Sequence, residues 1–168
     1  MTKPSVITFD PATACGCAVG PIGGKPDLRS IKLDRHGDRP IDVFGQAASL
    51  VHGLIAEHDP VLIAVEEPFY KNGESRYETT VLLHGLYGAI TGAARCRNIT
   101  VWSVAVSTWR AKALGTSKFG SRNNAKKAMM TLCAQLGWPA VDDNAADAGG
   151  IWMWATAKYA PFGVLPVA

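Results

Sequence analysis

Short apolar runs alternate with longer periodic segments along the chain. Two runs near the N-terminus, residues 6–9 and 15–20, are separated by the turn residues DPAT, which predicts an antiparallel hairpin. A third strand is predicted at 28–33. The continuous apolar run 61–65 is typical of a strand that is buried on both faces. Residues 100–106 are predicted to form the fifth strand.

The longer segments carry helical patterns. Apolar residues recur at three- and four-residue intervals through residues 41–57, and further helices are predicted at 77–95, 123–136 and 144–159. The element order is therefore β-β-β-α-β-α-β-α-α. Because hairpin-linked strands precede alternating strands and helices, we predict an α/β fold, with a mixed five-stranded sheet and helices on both faces.

The composition narrows the class of protein. A length of 168 residues suits one domain spanning 1–168. The sequence shows no apolar run of about 18 residues and no N-terminal signal core, so we expect a cytoplasmic protein with no membrane partner. The four cysteines lack zinc-like spacing, and buried reduced thiols are the simpler interpretation. The net charge of +3 is compatible with a polyanionic partner but does not establish one.

Acidic residues stand at the ends of two predicted strands. Asp10 follows the first strand, and Glu66 follows the fourth. If these strands are parallel neighbours, both carboxylates lie at one edge of the sheet, where sites form in open α/β sheets. Two close carboxylates repel each other, and a divalent cation removes that conflict. Oxygen ligands favour Mg²⁺ or Mn²⁺. Glu67 would point to the opposite face of its strand.

The stretch DDNAADAGG opens the last predicted helix and offers further oxygen ligands. Asp147 has small neighbours that would let this helix lie close to the sheet, so we predict it as the third ligand. Asp143 precedes Asp147 by four residues and Asn144 precedes it by three, so each shares a helical face with it. Asp142 is interpreted as an N-cap, and Asp143 is open to the same interpretation.

Three stretches together resemble the motifs of the RuvC-like Holliday junction resolvases. FDPATACGCAVG resembles the first motif, in which an Asp ends strand one and a Gly follows in the hairpin. AVEEPFYKNGESR resembles the second, a strand-end Glu followed three residues on by a Phe. DDNAADAGGIWMWA resembles the last, the acid-rich start of the final helix. The resemblance covers residues 5–155, and STWRAKALG followed by a basic loop and NNAKKA is similar to the phage-borne members.

The resemblance implies an RNase H-like fold and a homodimer that cuts four-way DNA junctions with Mg²⁺, in a bacterial or phage-infected host cell. Asp10, Glu66 and Asp147 match the metal ligands of the family, and two ions per site would hydrolyse the phosphodiester. The fourth acid of the family corresponds to Asn144, which leaves Asn144 or Asp143 as the fourth member. No nucleotide cofactor is expected.

Aromatic and basic residues beside the motifs are candidates for DNA contacts. Phe69 matches an aromatic residue that family members press against junction bases, and an ordinary core or rim position is the alternative. Lys126 and Lys127 are the candidates for stabilising charge on the reacting phosphate. The basic residues predicted to contact backbone phosphates are Lys71, Arg76, Arg110, Lys112, Lys118, Arg122, Lys126 and Lys127.

The two-fold symmetry of a junction favours a two-fold dimer with one site per subunit. The glycine-rich helix 77–95 is the candidate interface, and packing within one chain is the alternative.

Three alternatives to a junction resolvase stay open. The same fold and chemistry would serve to cut forks, flaps or structured RNA. A protein that binds branched DNA without cutting it is supported by the Asn at the fourth acid position. The first hairpin also reads D-x-x-T-x-x-G, as in the phosphotransferases of the actin and sugar-kinase superfamily, but 168 residues are too few for their two lobes.

Overall fold

The computed structural model describes residues 3–33, 39–69 and 76–163, with side chains described up to residue 159. Within these ranges five strands and five helices follow one another. The strands are β1 (Ser5–Asp10), β2 (Ala14–Pro21), β3 (Asp27–Lys32), β4 (Pro60–Glu66) and β5 (Thr100–Val104). The helices are α1 (Pro40–His58), α2 (Tyr77–Cys96), α3 (Val106–Leu114), α4 (Arg122–Gln135) and α5 (Asp143–Gly163).

The strands form one mixed sheet in the order β3-β2-β1-β4-β5. β2 is antiparallel to both β1 and β3, whereas β4 is parallel to both β1 and β5. The predicted mixed five-stranded α/β sheet is therefore confirmed. Because Phe9 pairs with Val65, Asp10 and Glu66 follow side by side at the carboxyl ends of two parallel central strands.

Helices cover both faces of the sheet. α1 and α2 bury Ile7 and Phe9 on one face, and α3, α4 and α5 bury Val6 on the other. Since side chains alternate along a strand, Thr8 and Asp10 share the face of Val6. The Thr8 hydroxyl donates to the Ala148 carbonyl oxygen at 2.8 Å, which ties α5 to β1 two residues before Asp10. None of the helices in the described ranges is long and apolar enough to cross a membrane.

The helix α3 differs from the sequence-based expectation. The strand predicted at 100–106 ends at Val104, and the next residues begin α3. Trp109 is the one buried residue of this helix, so the segment lacks the repeated apolar face that identifies a helix in a sequence. Gly115, with a φ of 74°, ends α3 in the left-handed conformation that glycine adopts without strain.

Small residues let α5 lie close to its neighbours. A Cβ added at Gly150 would lie 2.5 Å from the Trp109 ring, and one added at Gly16 would overlap the Asn144 carbonyl oxygen. Four alanines of the same helix are fully buried, namely Ala145, Ala146, Ala148 and Ala155. The close approach predicted from the small residues of NAADAGG is therefore present, against the sheet and against α3.

Replacing Gly150 by Ala tests this packing. The added methyl group would overlap the Trp109 ring, so we expect Gly150→Ala to lower the free energy of unfolding by about 1–3 kcal/mol. Gly53→Ala is the matched control, because no described atom lies within 4 Å of its added Cβ. This control should gain about 0.5–1 kcal/mol from helix propensity. Urea unfolding measures both, and a Gly150→Ala protein as stable as wild type would contradict the packing.

Candidate active site

Three carboxylates from separate elements lie close together, with Asp147 buried and Asp10 and Glu66 half-buried. Asp10 ends β1, Glu66 ends β4, and Asp147 lies in the second turn of α5 with 6% of its surface exposed. Burial raises the pKa of Asp10 well above its ordinary value, and the nearby charges of Glu66 and Asp147 raise it further. Burial also raises the pKa of Glu66 and of Asp147. The structure therefore brings together the three acids that the strand ends and the last helix predicted.

Helix α3 holds two of these acids through neighbouring side chains. The Trp109 indole N–H donates to the Glu66 carboxylate at 2.6 Å, and the Arg110 guanidinium donates to Asp147 at 3.1 Å. The guanidinium carbon also lies 5.0 Å from the centroid of the Trp109 ring. Both contacts moderate the rise in carboxylate pKa that burial causes. Trp109 is not identifiable from the sequence as a partner of Glu66, because its position depends on α3, a helix whose main local signal is Gly115.

The remaining acids, at the start of α5, have different partners. Asp142 accepts a hydrogen bond from the Ala145 N–H at 2.9 Å, as predicted for an N-cap. Asp143 forms an ion pair with Lys126 of α4, and this contact lowers the pKa of Asp143. Asn144 is half-buried, and its backbone carbonyl oxygen packs over Gly16 in β2. Asp143 and Asn144 both lie at the site, and Asp143 is paired with Lys126.

The carboxylate oxygens at this site suit a hard divalent cation. In this structure, however, side chains of the protein contact these carboxylates. No group of three His, Cys, Asp or Glu side chains in the described ranges is placed to hold a metal ion. One oxygen of Asp147, Oδ1, is buried and has no hydrogen-bond partner among the described residues. Because buried carboxylate oxygens almost always have partners, this one fits an ion such as Mg²⁺ or Mn²⁺.

Aromatic and acidic residues beyond Glu66 lie at the surface. Phe69 is 71% exposed, which excludes a core position and leaves both a rim position and a DNA contact open. It lines a cavity of about 140 Å³ together with Pro11, Glu66 and Leu83. Glu67 is exposed, as expected for the opposite face of the strand.

The predicted phosphate contacts fall into three groups. Arg76, Lys112 and Lys127 are exposed, and Lys71 lies outside the described residues. Lys126 pairs with Asp143, and Arg110 with Asp147. Lys118 and Arg122 are exposed and line, with Arg110, a cavity of about 470 Å³. The charge of Arg122 counteracts the rise in the pKa of Asp10 and Glu66, so this cation acts directly on the acids.

No family model matches the sequence, and no curated protein matches it. Solved structures do match. Thermus thermophilus RuvC in complex with a Holliday junction substrate gives a TM-score of 0.68 at 20% identity, over 95% of this chain and 96% of that chain. The Thermus thermophilus RuvC structure gives 0.66 at 18% identity, over 95% and 96%. Ydc2, the yeast mitochondrial Holliday junction resolvase, gives 0.58 at 16% identity, over 96% and 85%.

The chain has the RuvC-type resolvase fold. The RNase H-like architecture expected from the three motifs is thereby confirmed, and nearly the whole chain takes part in the match. At these identities the likeness establishes the fold, and the chemistry has to be argued from the acids themselves.

Neutralising Asp10 should stabilise the metal-free protein. Because the folded state raises the pKa of Asp10, its ionisation destabilises the fold as the pH rises from the ordinary aspartate pKa of 3.8 through the folded pKa. At neutral pH we expect Asp10→Asn to raise the melting temperature in EDTA by about 3 °C or more. The difference should shrink as the pH falls towards 4.

Glu67→Gln is the control for this effect, because it removes an exposed carboxylate next to Glu66 in the sequence. Differential scanning calorimetry across the pH range measures both variants. An Asp10→Asn protein that melts below wild type at neutral pH would show that Asp10 is not under electrostatic strain.

Proposed function

We propose that this protein is a structure-selective endodeoxyribonuclease that resolves four-way DNA junctions by paired symmetric nicks. The observation that carries the proposal is the convergence of Asp10, Glu66 and Asp147 in one site at the carboxyl ends of two parallel strands. The fold supports the choice of substrate, because the similar structures are named as Holliday junction resolvases or shown with a junction substrate.

The reaction is hydrolysis of a phosphodiester. Mg²⁺ or Mn²⁺, with two ions per site, would supply the activated water and stabilise the leaving oxygen. Asp10, Glu66 and Asp147 would hold the ions, with Asp143 or Asn144 as the fourth member of the site. Partial burial of these carboxylates strengthens their electrostatic effect.

Cations surround the acids on the side of α4. Lys126 forms an ion pair with Asp143, where it would stabilise charge on a reacting phosphate. Arg122 begins α4 and lies close enough to influence the acids. The exposed Phe69, beside the cavity next to Glu66, is proposed to press against bases where the strands of the junction part.

A two-fold dimer would give the two symmetric cuts, and α2 is the proposed interface. One side of α2 packs on α1 and the sheet, where Leu86 and Ile90 are buried. The opposite side exposes Tyr77 and Val81, and Gly88 lies on the same side with no described atom near an added Cβ. Packing within the chain and an external interface therefore use different sides of one helix.

A protein that binds branched DNA without cutting it is the second candidate. It is favoured by Asn144 at the fourth position and by the ion pair that engages Asp147 with Arg110. Cutting of forks, flaps or structured RNA would use the same acids, so the choice of substrate distinguishes these activities.

Incubation with labelled substrates and Mg²⁺ tests the proposal. We expect wild type to place paired nicks on a four-way junction and to leave a linear duplex of the same sequence uncut. Asp147→Asn should lower the cutting rate by at least about 100-fold, because it removes a charged ligand of the site. Asp142→Asn is the matched control, since Asn also caps helices, and should cut at the wild-type rate.

Three outcomes would contradict the assignment. Equal cutting by Asp147→Asn and wild type would mean that the active site is elsewhere. Forks or flaps cut faster than junctions would assign the same site to another branched DNA. Tight junction binding without cutting would favour the binding protein.

The dimer interface is tested by introducing a charge at one exposed position of α2. Val81 is 40% exposed on the free side of α2, so Val81→Glu should convert the dimer into a monomer without changing the far-UV circular dichroism. Ile41→Glu is the control, because Ile41 is a 66% exposed apolar residue of a different helix, α1. Light scattering after gel filtration measures the mass. A Val81→Glu protein that stays dimeric would place the interface on another surface.

A further inference from the structure

Arg110 stands between two regions of opposite charge. Towards the sheet, its guanidinium Nη2 contacts Asp147 at 3.1 Å. Towards α4, the same side chain lines the cavity of about 470 Å³ with Lys118 and Arg122. Its Nε is buried and has no hydrogen-bond partner among the described residues. A planar guanidinium with an unused N–H can donate a hydrogen bond to a second partner. A side chain whose donors were all in use could not do so.

On the acidic side, Arg110 contacts Oδ2 of Asp147, the carboxylate whose other oxygen, Oδ1, has no partner among the described residues and is free for a metal ion. A guanidinium and a divalent cation at the same carboxylate repel each other strongly in a buried site. Because Asp147 would be shared between them, a bound ion weakens the hold of Asp147 on Arg110. The ion pair therefore neutralises Asp147 when no ion is bound, and is in competition with the ion when one is present.

On the basic side, the cavity has the chemistry of a phosphate site. Its lining includes three cations and no carboxylate. It lies at the start of α4, a helix of 14 residues that has no acidic residue in its first turn, so the positive end of the helix dipole is directed at the cavity. Ser121, the N-cap, belongs to the same lining and accepts from the Asn124 N–H at 3.2 Å.

We infer that Arg110 is a positioning residue with two alternative partners, Asp147 in the metal-free protein and a DNA backbone phosphate in the cavity with Lys118 and Arg122 when the acids hold a divalent cation. The inference rests on the proposed function and adds a form of regulation to the same site. Metal binding and DNA binding strengthen each other through Arg110, because a coupling free energy acts equally in both directions. The Trp109 ring lies 5.0 Å from the guanidinium carbon, so the Arg110 side chain can stay packed on this ring while it changes partner.

The first measurement is calorimetric titration of Mg²⁺ into DNA-free protein. Arg110→Met should bind the ion about tenfold more tightly than wild type, because the competing charged hydrogen bond is gone. Lys118→Met is the matched control, since it removes an equal charge from the same cavity without touching Asp147. If Lys118→Met tightens Mg²⁺ binding as much as Arg110→Met, the effect is a general loss of positive charge and the inference is overturned.

The second measurement is the salt dependence of four-way junction binding, with Ca²⁺ as the metal probe or with EDTA, and with the DNA checked to be intact on a denaturing gel. With Ca²⁺, Arg110→Met should lower the slope of log K against log salt by about 0.9, the value for one phosphate contact. With EDTA its slope should equal that of wild type, because Arg110 is then bound to Asp147. Lys118→Met should lower the slope under both conditions.

The results separate the inference from the proposed function. A slope that falls equally with Ca²⁺ and EDTA in Arg110→Met makes Arg110 a permanent phosphate contact. A slope that is unchanged under both conditions makes Arg110 a purely structural residue. Either result overturns the alternation of Arg110 between its two partners. Neither result affects the proposed cutting of junctions by the wild-type protein. Wild type that binds a junction no better than a linear duplex overturns the proposed function and the inference together.

Discussion

Three carboxylates held close together at one edge of the sheet set the constraint that the surrounding structure meets. Burial raises the pKa of Asp10, and the nearby charges of Glu66 and Asp147 raise it further. The chain answers with an indole N–H and a guanidinium from α3 and with the charge of Arg122 from α4. The elements on this face of the sheet are thus arranged around an electrostatic conflict, and a fold optimised for stability alone would lack it.

Close packing is what lets acids from distant elements meet. Asp147 approaches the strand ends because α5 presents small side chains to the sheet and to the Trp109 ring. The Thr8 hydroxyl fixes the depth of the helix by bonding the Ala148 carbonyl next to Asp147. The same small residues therefore determine both the stability of this layer and the spacing of the acids, so stability and site geometry are coupled through them.

Sequence patterns were sufficient for the sheet and for the three central acids. A buried parallel strand is a continuous apolar run, and the residue that follows it stands at the edge where sites form, which identifies Asp10 and Glu66 without a structure. Helix α3 was not predictable in this way, since one buried Trp carries no periodicity. The contacts of Arg110 and Lys126 depend on how α3, α4 and α5 pack, and no local spacing records that.

The hydrogen bond from Thr8 to Ala148 joins residues 140 positions apart, which has a consequence for the newly made chain. Ribosomes synthesise Asp10 and Glu66 long before Asp147, and long-range contacts form late in folding. A nascent chain that has completed β1 to β5 still lacks the helix that supplies the third acid. Assembly of the acid set is thereby delayed until α5 has been made and docked, so the partly synthesised protein has no complete centre beside the nucleic acids of the cell.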